Sequence, residues 1–195
     1  MEFCQKYPGG TELEISMLFV DVRDSTKLAE GMRAVEFSRL MNRFYKAATD
    51  ALIKTDAYID KFVGDEVIGL YFPLFAGKNH AAAAIRGARQ LLRTAKGRDG
   101  AGPALRFGIG VHSGVAYVGT VRGTEGSMQD ITALGDNVNI TARLASQAGG
   151  GEALLSEAAC TSAGFDGQHA EQRRLELKGK SEPVCVRVVT PDFVG

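Results

Sequence analysis

One short run of residues does most to limit how this chain can fold. From Ile15 to Val20 it reads Ile-Ser-Met-Leu-Phe-Val, almost wholly apolar, and it ends abruptly at Asp21. An apolar run of this length without alternation suits a central strand buried on both faces. A carboxylate that closes such a strand is costly unless it is hydrogen-bonded, exposed at the strand mouth or metal-bound. Asp21 is therefore a candidate functional residue. Asp24, Ser25 and Thr26 follow as N-cap candidates for a short helix, whose free amides suit a phosphate.

The stretch Tyr58 to Phe72 supplies a second carboxylate. It consists of two β-prone runs pinched at Gly64-Asp65, the pattern of a hairpin with a polar tip. Asp65 at the turn is a candidate hard-cation ligand, and Lys61 on the incoming strand can offer a cation to a base edge or a phosphate. Where the strands ending at Asp21 and Asp65 are neighbours, their carboxylates converge at one edge of a sheet. That arrangement suits two magnesium ions acting on a phosphate.

Helical spacing of Phe37, Leu40, Met41, Phe44, Ala48 and Leu52 predicts a long amphipathic helix over 33–54, and a second is expected over 80–95. A third, over 134–147, places Asp136, Asn139 and Arg143 on one face, and Gly149 to Gly151 stop it. Residues 105–111 read as a strand, and 112–120 as a second hairpin turning at Ser113-Gly114. Arg122 to Gln129 reads as a polar projection. Strands are expected at 153–156, 174–177 and 184–189, with the loop Lys178-Gly179-Lys180-Ser181 between the last two. His112 fits a satisfied structural histidine. Helices interleaved with hairpins and buried strands predict an α+β fold, helices packed against a mixed sheet.

Composition narrows the function classes. A chain of 195 residues fits one domain with its own core. Residues 1–11 read as an entry segment or linker, 12–190 as the domain and 191–195 as a tail. The formal charge of zero leaves no basic footprint for nucleic acid. Cys4, Cys160 and Cys185 are odd in number and unpaired by spacing, which argues against a disulfide scaffold or a zinc site and for a reducing cytoplasm. With no apolar run near ~20 residues, any membrane tether or upstream sensory domain is expected outside this chain.

Three segments together carry a resemblance: Phe19-Val20-Asp21-Val22-Arg23-Asp24-Ser25-Thr26, Lys61-Phe62-Val63-Gly64-Asp65 and Leu134 through Arg143. In that order they resemble the class III nucleotidyl cyclase catalytic domain, over about Glu12 to Val189. The resemblance implies a ferredoxin-like or palm-like mixed sheet with packed helices. It also implies an adenylyl cyclase that makes 3′,5′-cyclic AMP and pyrophosphate from ATP, working as a head-to-tail homodimer. Asp21 and Asp65 match the family's two metal-binding aspartates, which hold two Mg²⁺ or Mn²⁺ ions. Lys61 matches the adenine-selecting lysine. Thr132 falls where many members have an aspartate that accepts from the adenine amino group, as in the subgroup that includes bicarbonate-responsive adenylyl cyclases. Asn139 matches the ribose-orienting residue, Arg143 the transition-state arginine, and Lys178 the lysine on the terminal phosphates. Asp24 stands where the family usually has glycine, and Arg122 is a candidate for a further phosphate-contacting arginine. The rival reading is a non-catalytic ATP-binding regulatory module. A diguanylate cyclase is disfavoured because its Gly-Gly-Asp/Glu-Glu-Phe signature is missing.

Overall fold

A computed structural model describes residues 9–96, 105–122 and 129–193. The expected central strand is β1 (Thr11–Val22), buried from Ile15 to Val20. The remaining strands are β2 (Tyr58–Val63), β3 (Glu66–Tyr71), β4 (Phe107–Arg122), β5 (Gln129–Leu134), β6 (Glu152–Ser156), β7 (Glu171–Leu175) and β8 (Val184–Val189). They form one sheet in the order β2-β3-β1-β4-β6-β8-β7, and β5 pairs with β4 outside that order. β1 runs antiparallel to both β3 and β4, whereas β4 and β6 are parallel, so the sheet is mixed. The helices are α1 (Ser25–Glu30), α2 (Ala34–Ile53), α3 (Pro73–Ala76), α4 (His80–Lys96), α5 (Asp136–Gln147) and α6 (Glu157–Ala163).

Alternation along β1 sends its side chains to two cores. Leu18, Val20 and Val22 pack with Met41, Phe44, Ala48 and Leu52 of α2, Ala84, Ala88 and Leu92 of α4, and Ala159 of α6. Ile15, Met17 and Phe19 face the other way, against Ile68, Leu70, Ala116, Val118, Ala133 and Ala145. The second face is thus covered by α5 and by the β4–β5 ribbon. Helix α5 lies almost on the backbone of β4. A Cβ at Gly110 would stand 2.4 Å from Ala145 N and 2.5 Å from Thr141 O. Glycine there permits the close approach.

Two local expectations are corrected. The hairpin expected at Ser113-Gly114 does not form, because β4 continues through it and pairs with β1 from Phe107 to Val118. Gly114 instead makes room for Asn137, whose Nδ2 would lie 2.5 Å from a Cβ at that position. The chain turns back after Arg122, which pairs with Gln129. Residues 123–128 of the expected projection, and the Arg122 side chain, lie outside those described. Asp24 sits at the head of α1 but makes no side-chain cap. Its backbone is left-handed, at φ 57°, a conformation that aspartate tolerates better than most residues. This accounts for an aspartate where the resembling family usually has glycine. Among the described residues no helix is long and apolar enough to cross a membrane.

Candidate active site

The register of β1 and β3 builds a carboxylate cluster at one end of the sheet. Asp21 stands opposite Glu66, and Val22 N donates to Asp65 O at 3.2 Å, which ties the β2–β3 turn to the end of β1. Gly64, at φ 61°, makes the turn possible. Burial pushes the Asp21 carboxyl up to about 6. Arg23 opposes that shift, while the charge of Asp65 and a hydrogen bond shared with it reinforce it. Burial, then the charges of Asp21 and Asp65, push Glu66 up to about 7. Three acids therefore crowd one half-buried spot. Their main counter-charge here is Arg23, which pairs with Asp21 and donates to Ser146 O at 2.7 Å at the end of α5. A hard divalent cation at Asp21 and Asp65 would relieve that crowding with oxygen ligands of the right kind.

A second group joins β2 to β5. Lys61 Nζ donates to Thr132 Oγ1 at 2.9 Å, and Thr132 Oγ1 donates to Asp60 Oδ2 at 3.0 Å. Lys61 Nζ also lies 3.3 Å from Asp60 Oδ2. The two residues expected to read a base are thus brought together within one chain, although they are 71 positions apart.

The third group sits on α5 and the loop after β7. Asp136, Asn139 and Arg143 do lie on the outer side of α5, Asn139 exposed and Arg143 half-buried. Asp136 pairs with Lys180, and Arg143 Nη2 lies 3.7 Å from where a Cβ of Gly179 would stand, so the Lys178–Lys180 loop runs beside Arg143. Lys178 itself is exposed. His112 anchors the start of this helix. Its Nδ1 is 2.7 Å from Ser156 Oγ and its Nε2 is 2.9 Å from Asn137 Oδ1. Asn137 Nδ2 donates to Val115 O at 2.8 Å, so Oδ1 faces the ring and accepts from Nε2–H, and in the neutral ring Nδ1 accepts from Ser156 Oγ. Burial holds His112 below its usual pKa, in the neutral form that this pattern needs. It is the satisfied structural histidine expected from the sequence. The carboxylate cluster abuts the C-terminal end of α5 at Ser146, whereas Asn139 lies seven residues earlier, a rise of roughly 10 Å.

Residues 10–190 match the family described as adenylate and guanylate cyclase catalytic domain. The chain belongs to this family. An adenylate cyclase from Anabaena cylindrica is 30% identical over 138 residues, covering 67% of this chain and 26% of that protein. The guanylyl cyclase Cya2 superposes with a TM-score of 0.82 at 27% identity, over 92% of this chain and 93% of its own. The adenylyl cyclase CyaB from P. aeruginosa gives 0.81 at 26%, over 92% and 95%. The chain spans about a third or less of the length of these curated relatives.

Sequence reasoning missed three residues of this candidate site. Glu66 joins the acids only through its cross-strand register with Asp21, and the adjacent Asp65-Glu66 pair was the available signal. Arg23 closes on Asp21 two residues away, within the motif that carried the resemblance. Asp60 reaches Thr132 through an irregularity in β2 that no sequence pattern announces.

Proposed function

We propose that this cyclase domain is an adenylyl cyclase that converts ATP to 3′,5′-cyclic AMP and pyrophosphate, in sites shared by two copies arranged head to tail. The observation that carries the reading is the Lys61–Thr132 pair, held at 2.9 Å. Lys61 retains N–H donors for a ring nitrogen and Thr132 retains an acceptor for an exocyclic amine, which matches adenine. Guanine places an acceptor and a donor where adenine has the reverse, which leaves buried groups unpaired.

In this reading Lys61 and Thr132 bind the base, Asn139 orients the ribose, and Lys178 grips the terminal phosphates. Arg143 meets charge that develops on the α-phosphate, a contribution of about 3–4 kcal/mol for a well-placed donor. The 3′-oxygen bonds to the α-phosphorus, the bond to the bridging oxygen of pyrophosphate breaks, and the hydroxyl proton leaves to solvent. Asp21 and Asp65 would hold Mg²⁺ or Mn²⁺, which lowers the hydroxyl pKa and neutralises phosphate charge when bound. Among the described residues no three His, Cys, Asp or Glu side chains are disposed as a cage around one point. Magnesium held by one or two carboxylates takes the rest of its shell from phosphate oxygens and water.

Two copies enter because the acids lie at one end of α5 and Asn139 lies roughly 10 Å back along it. A second copy facing the first would bring the acids of one to the Lys61, Asn139 and Arg143 groups of the other. The reading places the domain in the cytoplasm, in accord with the free thiols of Cys160 and Cys185. Input or tethering domains would then lie outside this chain. Bicarbonate is a candidate effector through Thr132 alone, and the Asp60 carboxylate beside that hydroxyl disfavours an anion there. Incubating the purified chain with ATP or GTP and Mn²⁺, then identifying the product by chromatography, tests the reading. Cyclic AMP as the dominant product is expected. Dominant cyclic GMP would make the domain a guanylyl cyclase, like the equally similar Cya2.

A further inference from the structure

We propose that Asp60 is the positioning residue behind base selection, because its buried carboxylate takes the Thr132 hydroxyl proton and so makes Thr132 an acceptor toward the base. The inference rests on the reading of Lys61 and Thr132 as the base-recognising pair. Proton direction here follows by elimination. An ammonium only donates, a carboxylate only accepts, and a hydroxyl carries one proton. Lys61 Nζ lies 2.9 Å from Thr132 Oγ1, and Asp60 Oδ2 lies 3.0 Å from the same oxygen. Thr132 must accept from Lys61 and donate to Asp60. One lone pair remains on Oγ1, and Lys61 retains N–H donors. The pair therefore offers an acceptor beside a donor, which complements the amine and ring nitrogen of adenine and opposes the carbonyl and N–H of guanine.

The backbone is built to allow this. Successive residues of a regular strand point to opposite faces, so Asp60 and Lys61 could not both reach Thr132 from an unbroken β2. The register with β3 shifts between Ile59, opposite Gly69, and Lys61, opposite Ile68, which leaves Asp60 as an extra residue. A bulge of this kind bends the strand and re-aims a side chain. The outcome is a carboxylate that is 5% exposed next to an ammonium that is 43% exposed. Asp60 is interior and Lys61 reaches the mouth. An ion pair with one exposed partner is weak ground for stability. The consequence of this one is the direction of a proton.

The test is Asp60→Asn in the purified chain. Asparagine can present its amide N–H₂ to Thr132, which frees the hydroxyl proton to meet the guanine carbonyl. The ratio of kcat/KM for ATP to that for GTP should fall about tenfold or more. Thr132→Val should lose a similar factor, and Asp60→Asn should add nothing in the Thr132→Val background. The Kd ratio for non-hydrolysable ATP and GTP analogues, measured by calorimetry, should move in the same sense. A purely structural role would weaken both nucleotides equally and leave the ratio unchanged. Where the parent prefers ATP, a ratio within threefold of the parent in Asp60→Asn overturns this inference and leaves the adenylyl reading intact. A parent without ATP preference overturns that reading and this inference with it. If Asp60→Asn fails to fold, as judged by circular dichroism and gel filtration, Asp60→Ser decides, because it also removes the carboxylate. A fall in the ratio comparable to that of Thr132→Val supports the inference, and a ratio within threefold of the parent overturns it.

Discussion

Replacing Gly110 with alanine should separate the placement of α5 from everything else in the molecule. The added Cβ would meet Ala145 N at 2.4 Å, Thr141 O at 2.5 Å and Leu144 Cβ at 2.9 Å. Ordinary contact begins near 3.4 Å, so helix and strand must part by about 1 Å. The two nearest obstacles are helix backbone, so no change of rotamer relieves them. Overpacking of this severity costs about 2–3 kcal/mol, and at roughly 2–4 °C per kcal/mol for a chain of this size the Tm should fall by about 5–10 °C. Thr141 and Ala145 flank Arg143, so the arginine moves with the helix. A displacement of about 1 Å from productive geometry costs on the order of a hundredfold in rate. Thermal melting followed by circular dichroism gives the first quantity, and turnover at 20 °C, well below the transition, gives the second. A Tm within about 2 °C of the parent together with turnover within about threefold would refute the claim that the contact between β4 and α5 sets the position of Arg143.

The carboxylate cluster makes further predictions. Asp65→Asn should cut metal-dependent turnover by about two decades or more, while in chelator its melting temperature rises by a few degrees, because Asp21 loses a like-charged neighbour. Retention of more than about a tenth of activity would contradict a metal site built on both aspartates. The metal-free protein should also lose stability as pH rises. The folded pKa values of Asp21 and Glu66 stand near 6 and 7, above their ordinary 3.8 and 4.5, so the native state binds more protons between about pH 4 and 7 and stability falls across that window. Glu66→Gln should match the parent near pH 4 and exceed it at pH 8 by of the order of 2 kcal/mol, once solvent screening is allowed for. Denaturant titrations at both pH values measure this, and an equal difference at the two would contradict it.

How much of this was legible in the sequence depends on whether a residue's role was local. The apolar run at Ile15 to Val20 and the Gly64-Asp65 turn each carry their own explanation, and β1, β2 and β3 formed where expected. The spacing of Leu40, Phe44 and Ala48 likewise fixed α2, which ends within a residue of the expected boundary. Ser113-Gly114 misled because glycine serves both turns and close approaches, and only the position of Asn137 distinguishes them. β5 was missed because it is defined by its pairing to β4. α6 was also missed, although Ser156 caps it through Ala159 N. In the candidate site, Asp21, Asp65 and Lys61 could be named from motifs, and Thr132 from the position where many members of the resembling family have an aspartate. Glu66 and Asp60 could not, because one depends on cross-strand register and the other on a bulge.

The central claim is that one site needs both copies, and mixed dimers test it most directly. Asp65→Ala damages the carboxylate group and Arg143→Ala the α5 group, so each homodimer should be nearly inactive. In a heterodimer one site carries both lesions and the other carries neither. Random exchange of equal amounts makes about half the dimers mixed, each with one of two sites intact, so turnover should recover to roughly a quarter of the parent value. Subunit exchange is established separately, by co-purifying differently tagged chains. With exchange established, recovery near a quarter is the predicted result, and a mixture no more active than its two parents would contradict the shared site.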